Sequence, residues 1–390
     1  MSGVSPIRSI VHMDLDTFFV SVERLKDSRL NGLPLLIGGT GDRAVVSSCS
    51  YEARTFGIRS GMPMRMARRM CPQAITISGD FEAYSQYSGM VSEIVAESSP
   101  LYEKASIDEF YIDMTGMDRY FGCYKWAGEL RQRIIHETGL PISFGLSVNK
   151  LVSKVATGEA KPNGQLQIPF TNVQQFLEPM PVFKIPMIGP KLGRTLTYMG
   201  VPSVGKLRQI PKPVLERAFG KTGIMLFRKA RGEDDAPVTP HHEAKSMSTE
   251  RTFQTDTMDV KMLRSLVTRM AEQLAFRLRD DHKLCACVAV KIRYANFETV
   301  SKQLRIPYSA RDEELIPLVL RLFEQLYQKR VRVRLVGVKF SQLVSGRPQL
   351  NMFQDMHRQA DLYDALDAIK HKYGKESIGK ASGWVPPKSP

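Results

Sequence analysis

Residues 7–19, IRSIVHMDLDTFF, decide how the rest of the chain is read. An apolar run over 7–15, suited to a buried strand, carries two carboxylates at its end, Asp14 and Asp16, and passes directly into a helical pattern over 18–27. Carboxylates at a buried strand end are costly unless they are paired or bind a cation. Spacing alone leaves Asp14 and Asp16 as equal candidates, and an isolated Asp-x-Asp does not decide between a structural pair and a metal site.

Working outward, a short strand (45–48) precedes a basic segment (51–69) holding Arg54, Arg59, Arg65, Arg68 and Arg69, after a polar, turn-rich stretch. A helix over 84–98 leads to a hairpin (101–107 and 110–114), a helix (123–137), a strand (142–147) and a helix (150–159). Strands alternating with helices predict a mixed sheet covered by helices on one face, within an α+β multidomain chain. From 173 to 231 repeated prolines break the chain into short helices, a small helical domain. Residues 232–242, GEDDAPVTPHH, have little to bury and read as a linker.

Beyond it the order is strand (246–253), helix (259–279), strand (284–294), strand (298–306), helix (312–328), strand (331–340), the split βαβ arrangement. Alternation sets Val288, Val290 and Ile292 against Lys291 and Arg293, and Val331, Val333 and Leu335 against Arg332 and Arg334. With Arg305 on a third strand, the open face is expected to be cationic and to meet phosphate. A last amphipathic helix (358–373) shows the stripe Leu362, Leu366, Ile369, Tyr373.

Composition narrows the function. A chain of 390 residues with 43% apolar side chains is a folded protein of roughly two to four domains. The net charge of +15 calls for a polyanionic partner, nucleic acid or acidic membrane. No basic amphipathic segment has the exposed aromatic face of a membrane binder, which favours nucleic acid. No apolar run suits a span or a leader, so a soluble, cytoplasmic protein is expected. Five cysteines without CxxC spacing and seven histidines without an HxxxH pair exclude a zinc or disulfide framework. Cys285 and Cys287 read as small core residues.

In ASIDEFYID, Asp108 and Glu109 interrupt a strand pattern, as at a hairpin tip. Neighbouring strand residues face opposite ways, so both serve one site only if a turn or bulge re-aims one. Together with Asp14 or Asp16 they supply hard oxygen ligands for two Mg²⁺ about 3.5–4 Å apart, the arrangement of in-line phosphoryl displacement. Ser48, Tyr51 and Arg54 in SSCSYEARTFG, and Lys161 in GEAKPNG, are candidates for neutralising triphosphate oxygens. No Walker A motif is present, which excludes a P-loop NTPase.

Four segments in order, MDLDTFF (13–19), SYEARTFGIRSGMP (50–63), ASIDEFYIDMTG (105–116) and SFGLSVNKLVSKVATGEAKPNG (143–164), resemble the Y-family translesion DNA polymerases, closest to the DNA polymerase IV (DinB) branch. The resemblance covers about residues 7–341. It implies a right-hand polymerase: palm 1–17 and 80–168, fingers 18–79, helical thumb 169–235, linker 236–245, little finger 246–341 and a tail 342–390.

By the same resemblance Asp14, Asp108, Glu109 and the Leu15 carbonyl hold two Mg²⁺, with Mn²⁺ as a substitute, and Asp16 is not a ligand. Ser48, where Thr is frequent, joins Tyr51, Arg54 and Lys161 on the incoming nucleotide. Phe19 is the steric gate beneath the sugar. Residues 184–201 resemble a helix-hairpin-helix that binds DNA through Gly189 and Lys191, although the usual Gly-Ile-Gly turn reads Met187-Ile188-Gly189. Gln349, Leu350, Met352 and Phe353 resemble a sliding-clamp peptide. The implied enzyme is a monomer that extends primer–template DNA with deoxynucleoside triphosphates, at low fidelity and without a proofreading domain. Its rivals are a non-catalytic clamp- and DNA-binding relative and a metal-dependent nuclease.

Overall fold

The computed structural model describes residues 8–120, 122–240, 243–328, 330–346 and 356–383, and the chain divides into compact units at 1–242 and 243–390. The proposed clamp peptide, 349–353, lies outside the described residues.

In the first unit β1 (Ile10–Leu15) leads to α1 (Phe18–Lys26), then β2 (Leu35–Gly38), β3 (Val46–Cys49), α2 (Tyr51–Thr55), α3 (Met64–Met70) and β4 (Ile75–Ile77). These are followed by α4 (Phe81–Ser98), β5 (Tyr102–Lys104), β6 (Glu109–Asp113), α5 (Cys123–Thr138), β7 (Ile142–Ser147), α6 (Lys150–Ala160) and β8 (Gln165–Gln167). Short helices complete it: α7 (Val173–Leu177), α8 (Pro190–Tyr198), α9 (Val204–Gln209), α10 (Lys212–Phe219) and α11 (Lys221–Lys229).

The larger sheet runs β5-β6-β1-β7-β8, antiparallel except for the parallel β7–β8 pair. Val11, Met13 and Leu15 of β1 pack with Phe110, Ile112 and Phe144 against Val91 and Ile94 of α4 and Ala127 and Leu130 of α5. The opposite face is not bare, as the strand and helix pattern suggested. There α6 lies so close over β7 that a Cβ on Gly145 would stand 2.3 Å from the Ser153 carbonyl oxygen. Asn149 caps α6 by accepting from Val152 N at 2.9 Å and donates through its amide to the Gly232 carbonyl at 2.7 Å. This helix is therefore firmly fixed beneath the ends of β1 and β6.

A second sheet, β3-β2-β4, was not foreseen at β2 and β4. Leu35, Leu36 and Ile37 are fully buried at its centre. Ser50 joins this sheet to α2, since its hydroxyl accepts from Leu35 N at 3.0 Å and from Ala53 N at 3.2 Å.

The second unit comprises β9 (Ser246–Thr257), α12 (Val260–Asp280), β10 (Lys283–Tyr294), β11 (Thr299–Ser309), α13 (Asp312–Leu326), β12 (Val333–Ser345) and α14 (Met356–Tyr373). Its antiparallel sheet, in the order β11-β10-β12-β9, carries α12 and α13 on the apolar face through Val288, Val290, Ile292, Val336, Val338 and Phe340. Two sequence expectations fail here. A register shift between Val333 and Leu335 places Leu335 opposite Arg293, outside the core cluster, and Val331 is exposed. Over 362–373 of α14, the part whose burial is described, the buried positions are Tyr363 and Lys370, while Leu362, Ile369 and Tyr373 face outward.

Candidate active site

Antiparallel register assembles the site. Asp14 lies directly opposite Glu109 on one side and Ser143 on the other. Both carboxylates therefore share the sheet face that α6 covers, with His12 and Tyr111 one pair further in. Asp108 immediately precedes β6, and its carbonyl accepts from Leu15 N at 3.1 Å. A tight turn closes the hairpin, with Ala105 N donating to the Glu109 carbonyl at 2.9 Å. The Asp108 carboxylate accepts from Ser106 Oγ at 2.5 Å. Among the described residues no group of three such side chains already stands as a metal-holding cluster.

Two lysines neutralise the carboxylates instead. Lys161 Nζ donates to Asp14 Oδ1 at 2.5 Å and to the Leu15 carbonyl at 3.3 Å. Lys154 of α6 donates to Glu109 Oε2 at 2.5 Å. Burial pushes the Asp14 carboxyl up to about 6 against the pull of Lys161, and the Glu109 and Asp108 charges add to the push. His12, with Nε2 3.8 Å from Glu109, and Lys154 hold Glu109 down to about 2. Burial itself keeps His12 near 4, hence neutral at pH 7, so Lys154 is the partner that acts there. The other His12 nitrogen, Nδ1, hydrogen-bonds Thr157 Oγ1 at 2.8 Å.

The donor set fits a hard divalent cation: two carboxylates in register, a third beside them and the Leu15 carbonyl.

Asp16 has another task. Only 2% exposed, its carboxylate accepts from Ser143 Oγ at 2.9 and 3.1 Å and from Asn163 N at 2.6 Å. The Tyr51 hydroxyl reaches it at 3.5 Å and Lys161 Nζ lies 3.7 Å away. Asp16 thereby links α2 to the strand end, and Tyr51 and Lys161, far apart in sequence, meet at one carboxylate. Arg54 stacks over the Tyr51 ring at 4.9 Å, and its buried Nε has no hydrogen-bond partner among the described residues. Ser48 is buried on β3.

Thr17, in the left-handed region at φ 41°, turns the chain into α1, and Ser21 Oγ donates to the Asp16 carbonyl at 2.7 Å. Phe18 enters the core, whereas Phe19 is half-buried and stacks on Tyr84 with ring centroids 4.2 Å apart.

The remaining candidates lie elsewhere. Gly189 is the N-cap of α8 with extended backbone, and Lys191 is exposed in its first turn. The left-handed residue of that turn is Met187, at φ 75°. In the second unit Lys291, Arg293 and Arg305 occupy the sheet's open face, and exposed Lys339, which the strand pattern did not single out, joins them. Glu250 pairs with Lys291 there, so the face is not purely cationic. Arg293 donates to Thr299 Oγ1 at 2.8 Å, Arg334 stacks over Phe297 at 4.6 Å, and Arg332 is exposed. All five cysteines are buried and free, and burial pushes the Cys285 thiol up to about 12.

Lys154, His12, Lys339 and Glu250 were missed by sequence reasoning. The one available signal was Lys154 itself, two helical turns ahead of Lys161 on a segment already singled out.

Residues 13–158 match the impB/mucB/samB family, residues 244–352 its C-terminal domain, and residues 184–234 the DNA polymerase-iota thumb domain. The chain is similar to DNA polymerase IV of Dehalococcoides mccartyi (strain CBDB1), 37% identical over 376 residues, 95% of this chain and 96% of that one. DNA polymerase IV of Halorhodospira halophila (strain DSM 244 / SL1) is 36% identical over 365 residues, 92% and 99% of the two chains. A solved structure, the Y-family DNA polymerase chimera Dbh-Dpo4(243-245)-Dbh, superposes with a TM-score of 0.78 at 25% identity, covering 87% of this chain and all of that one. With matches from β1 to the last sheet, the chain belongs to the impB/mucB/samB family of Y-family DNA polymerases, in the DNA polymerase IV branch.

Proposed function

We propose that the chain is a template-directed DNA polymerase that adds deoxynucleotides to a primer 3′-hydroxyl and is specialised for damaged templates. The observation that carries this is the cross-strand pairing of Asp14 with Glu109, with Lys161 and Tyr51 gathered at the same strand end. Asp14, Asp108, Glu109 and the Leu15 carbonyl would hold two Mg²⁺, or Mn²⁺ in their place. When bound, such ions lower the pKa of the primer hydroxyl and offset charge on the reacting phosphate.

The chain's own residues do the positioning. Ser48, Tyr51, Arg54 and Lys161 engage the β- and γ-phosphates, orienting the α-phosphate in line with the primer 3′-oxygen, and pyrophosphate leaves. The Phe19 ring stands where a ribose 2′-hydroxyl would sit. Palm (1–17, 80–168), fingers (18–79), thumb (169–235) and little finger (246–341) divide the labour, with 236–245 as linker. The turn at Met187 to Gly189, the open face of the second unit's sheet through Lys291, Arg293 and Arg305, and Arg332 and Arg334 at the irregular start of β12 grip the duplex backbone. Gln349, Leu350, Met352 and Phe353 in the tail (342–390) take the sliding clamp. The enzyme works as a monomer in the cytoplasm; among the described residues no helix is long and apolar enough to cross a membrane.

A labelled primer–template with all four deoxynucleoside triphosphates and Mg²⁺ tests the proposal. Extension that Asp108→Ala abolishes is the expected result. Shortening of the primer, lost in the same variant, would replace it with a nuclease; neither reaction would leave a non-catalytic relative.

A further inference from the structure

We propose that Lys154 and Lys161 are stand-in cations: before a divalent ion arrives their ammonium groups hold Glu109 and Asp14 in place, and metal entry displaces them. The inference rests on the reading of Asp14 and Glu109 as metal ligands.

Each of the two carboxylates has its own closest lysine. Lys154 meets Glu109 and Lys161 meets Asp14, each at 2.5 Å, on a single sheet face. Asp14 and Glu109 are directly opposed cross-strand residues, a geometry in which like charges repel. Two ammonium groups remove that repulsion while no metal is present. Both come from one rigid element: Lys154 sits in the middle of α6, and Lys161 is the residue at its C-terminal cap. The helix itself is anchored by the Asn149 cap, by close packing at Gly145 and by the Thr157 hydrogen bond to the His12 carbonyl at 3.0 Å. Its backbone stays in place while the flexible four-carbon stems let the ammonium groups leave.

Each displaced ammonium would turn to a phosphate of the bound substrates. Lys161 adjoins Tyr51 through Asp16, on the side proposed for the triphosphate. Lys154 also lines a groove of about 420 Å³ between α6 and the turn entering α8, with Phe183, Lys184, Met187 and Gly189. A primer phosphate is the anion that suits that groove. Metal and polyphosphate then bind with positive coupling, because each relieves the lysines of the other's partner.

The test is Mn²⁺ binding to the full chain without DNA or nucleotide, read as loss of the free-ion electron paramagnetic resonance signal. Lys154→Met should bind Mn²⁺ about three- to tenfold more tightly than wild type, since no ammonium then competes for Glu109. Lys154→Gln should behave likewise, so the outcome does not depend on one variant's folding, and Lys154→Arg should retain wild-type affinity. Unchanged or weaker binding in both neutral variants overturns the proposal. Asp14→Asn separates the two levels: if it leaves Mn²⁺ binding intact, the metal-site reading fails, and if it weakens binding while the neutral variants match wild type, only the stand-in role fails.

Discussion

At the scale of single residues, a side chain's neighbours decide what it can do. Phe19 stacks on Tyr84, whose hydroxyl donates to buried Glu23 at 2.7 Å, and meets Phe81 edge-on at 5.7 Å. Two rings therefore fix the orientation of the proposed gate. Phe19→Ala should raise ribonucleotide incorporation about tenfold or more relative to deoxynucleotides, read by primer extension; an unchanged ratio removes the gate role. Met187 offers a test of backbone strain. A side chain in the left-handed region costs about 1–2 kcal/mol, and glycine returns about 0.4–1 of that through unfolded-state entropy. With its side chain largely exposed, Met187→Gly should stabilise the first unit by about 0.5–1 kcal/mol in urea unfolding. A loss of stability would mean that the Met187 side chain packs productively. This position was legible in the sequence, because a Gly-x-Gly turn with its first glycine replaced marks a strained site. The tie between Lys154 and Glu109 was not, since only the fold brings residues 45 apart in sequence together.

Elements show a sharper divide. Strands and helices with clean periodicity were legible: β7 falls on the expected residues, and α1, α5 and α6 end within one residue of expectation. β2 was lost because its four residues follow Pro34 and precede a glycine-rich turn, and a fully buried central strand has no alternation to detect. The face of α14 was misread for a different reason. That helix docks through charge: Arg279 donates to Asp367 at 2.7 and 2.9 Å and to Asp312 at 2.9 Å, and buried Lys370 meets Glu272 at 3.2 Å. Hydrophobic periodicity cannot report ion pairs. Arg279→Ala would strand the Asp312 and Asp367 carboxylates and should cost the second unit about 3–5 kcal/mol in urea unfolding. Asp367→Ala leaves Arg279 its other partner and should cost clearly less; equal costs would show that the pairs do not act as a network. On the open sheet face, Glu250 extends across Gly337, where a Cβ would meet its Cγ at 2.7 Å, to reach Lys291. Glu250→Gln should free Lys291 for phosphate, tighten duplex binding and steepen the log–log salt dependence by about one unit. An unaltered slope would take Lys291 out of the DNA contact.

For the whole molecule, the decisive fact is how the cores are partitioned. Among the described residues each buried apolar cluster draws its members from one unit: the largest from 247–340, the others from within 10–238. Residues 232–242, read from composition as a linker with little to bury, instead dock on the first unit: Val238 is buried against Ile10 and Tyr111, and Thr239 N donates to Glu103 Oε2 at 2.7 Å, while the division between the units falls at 242. A unit with its own core should fold alone. Residues 243–390 expressed by themselves should therefore unfold in one cooperative transition and bind primer–template DNA with log affinity falling linearly against log salt, yet extend no primer, since Asp14, Asp108 and Glu109 lie in the other unit. Circular dichroism melting, filter binding at several salt concentrations and primer extension measure the three properties on one preparation. A folded fragment without salt-dependent binding would move the duplex grip away from the second sheet. An unfolded fragment would show that its core depends on the first unit.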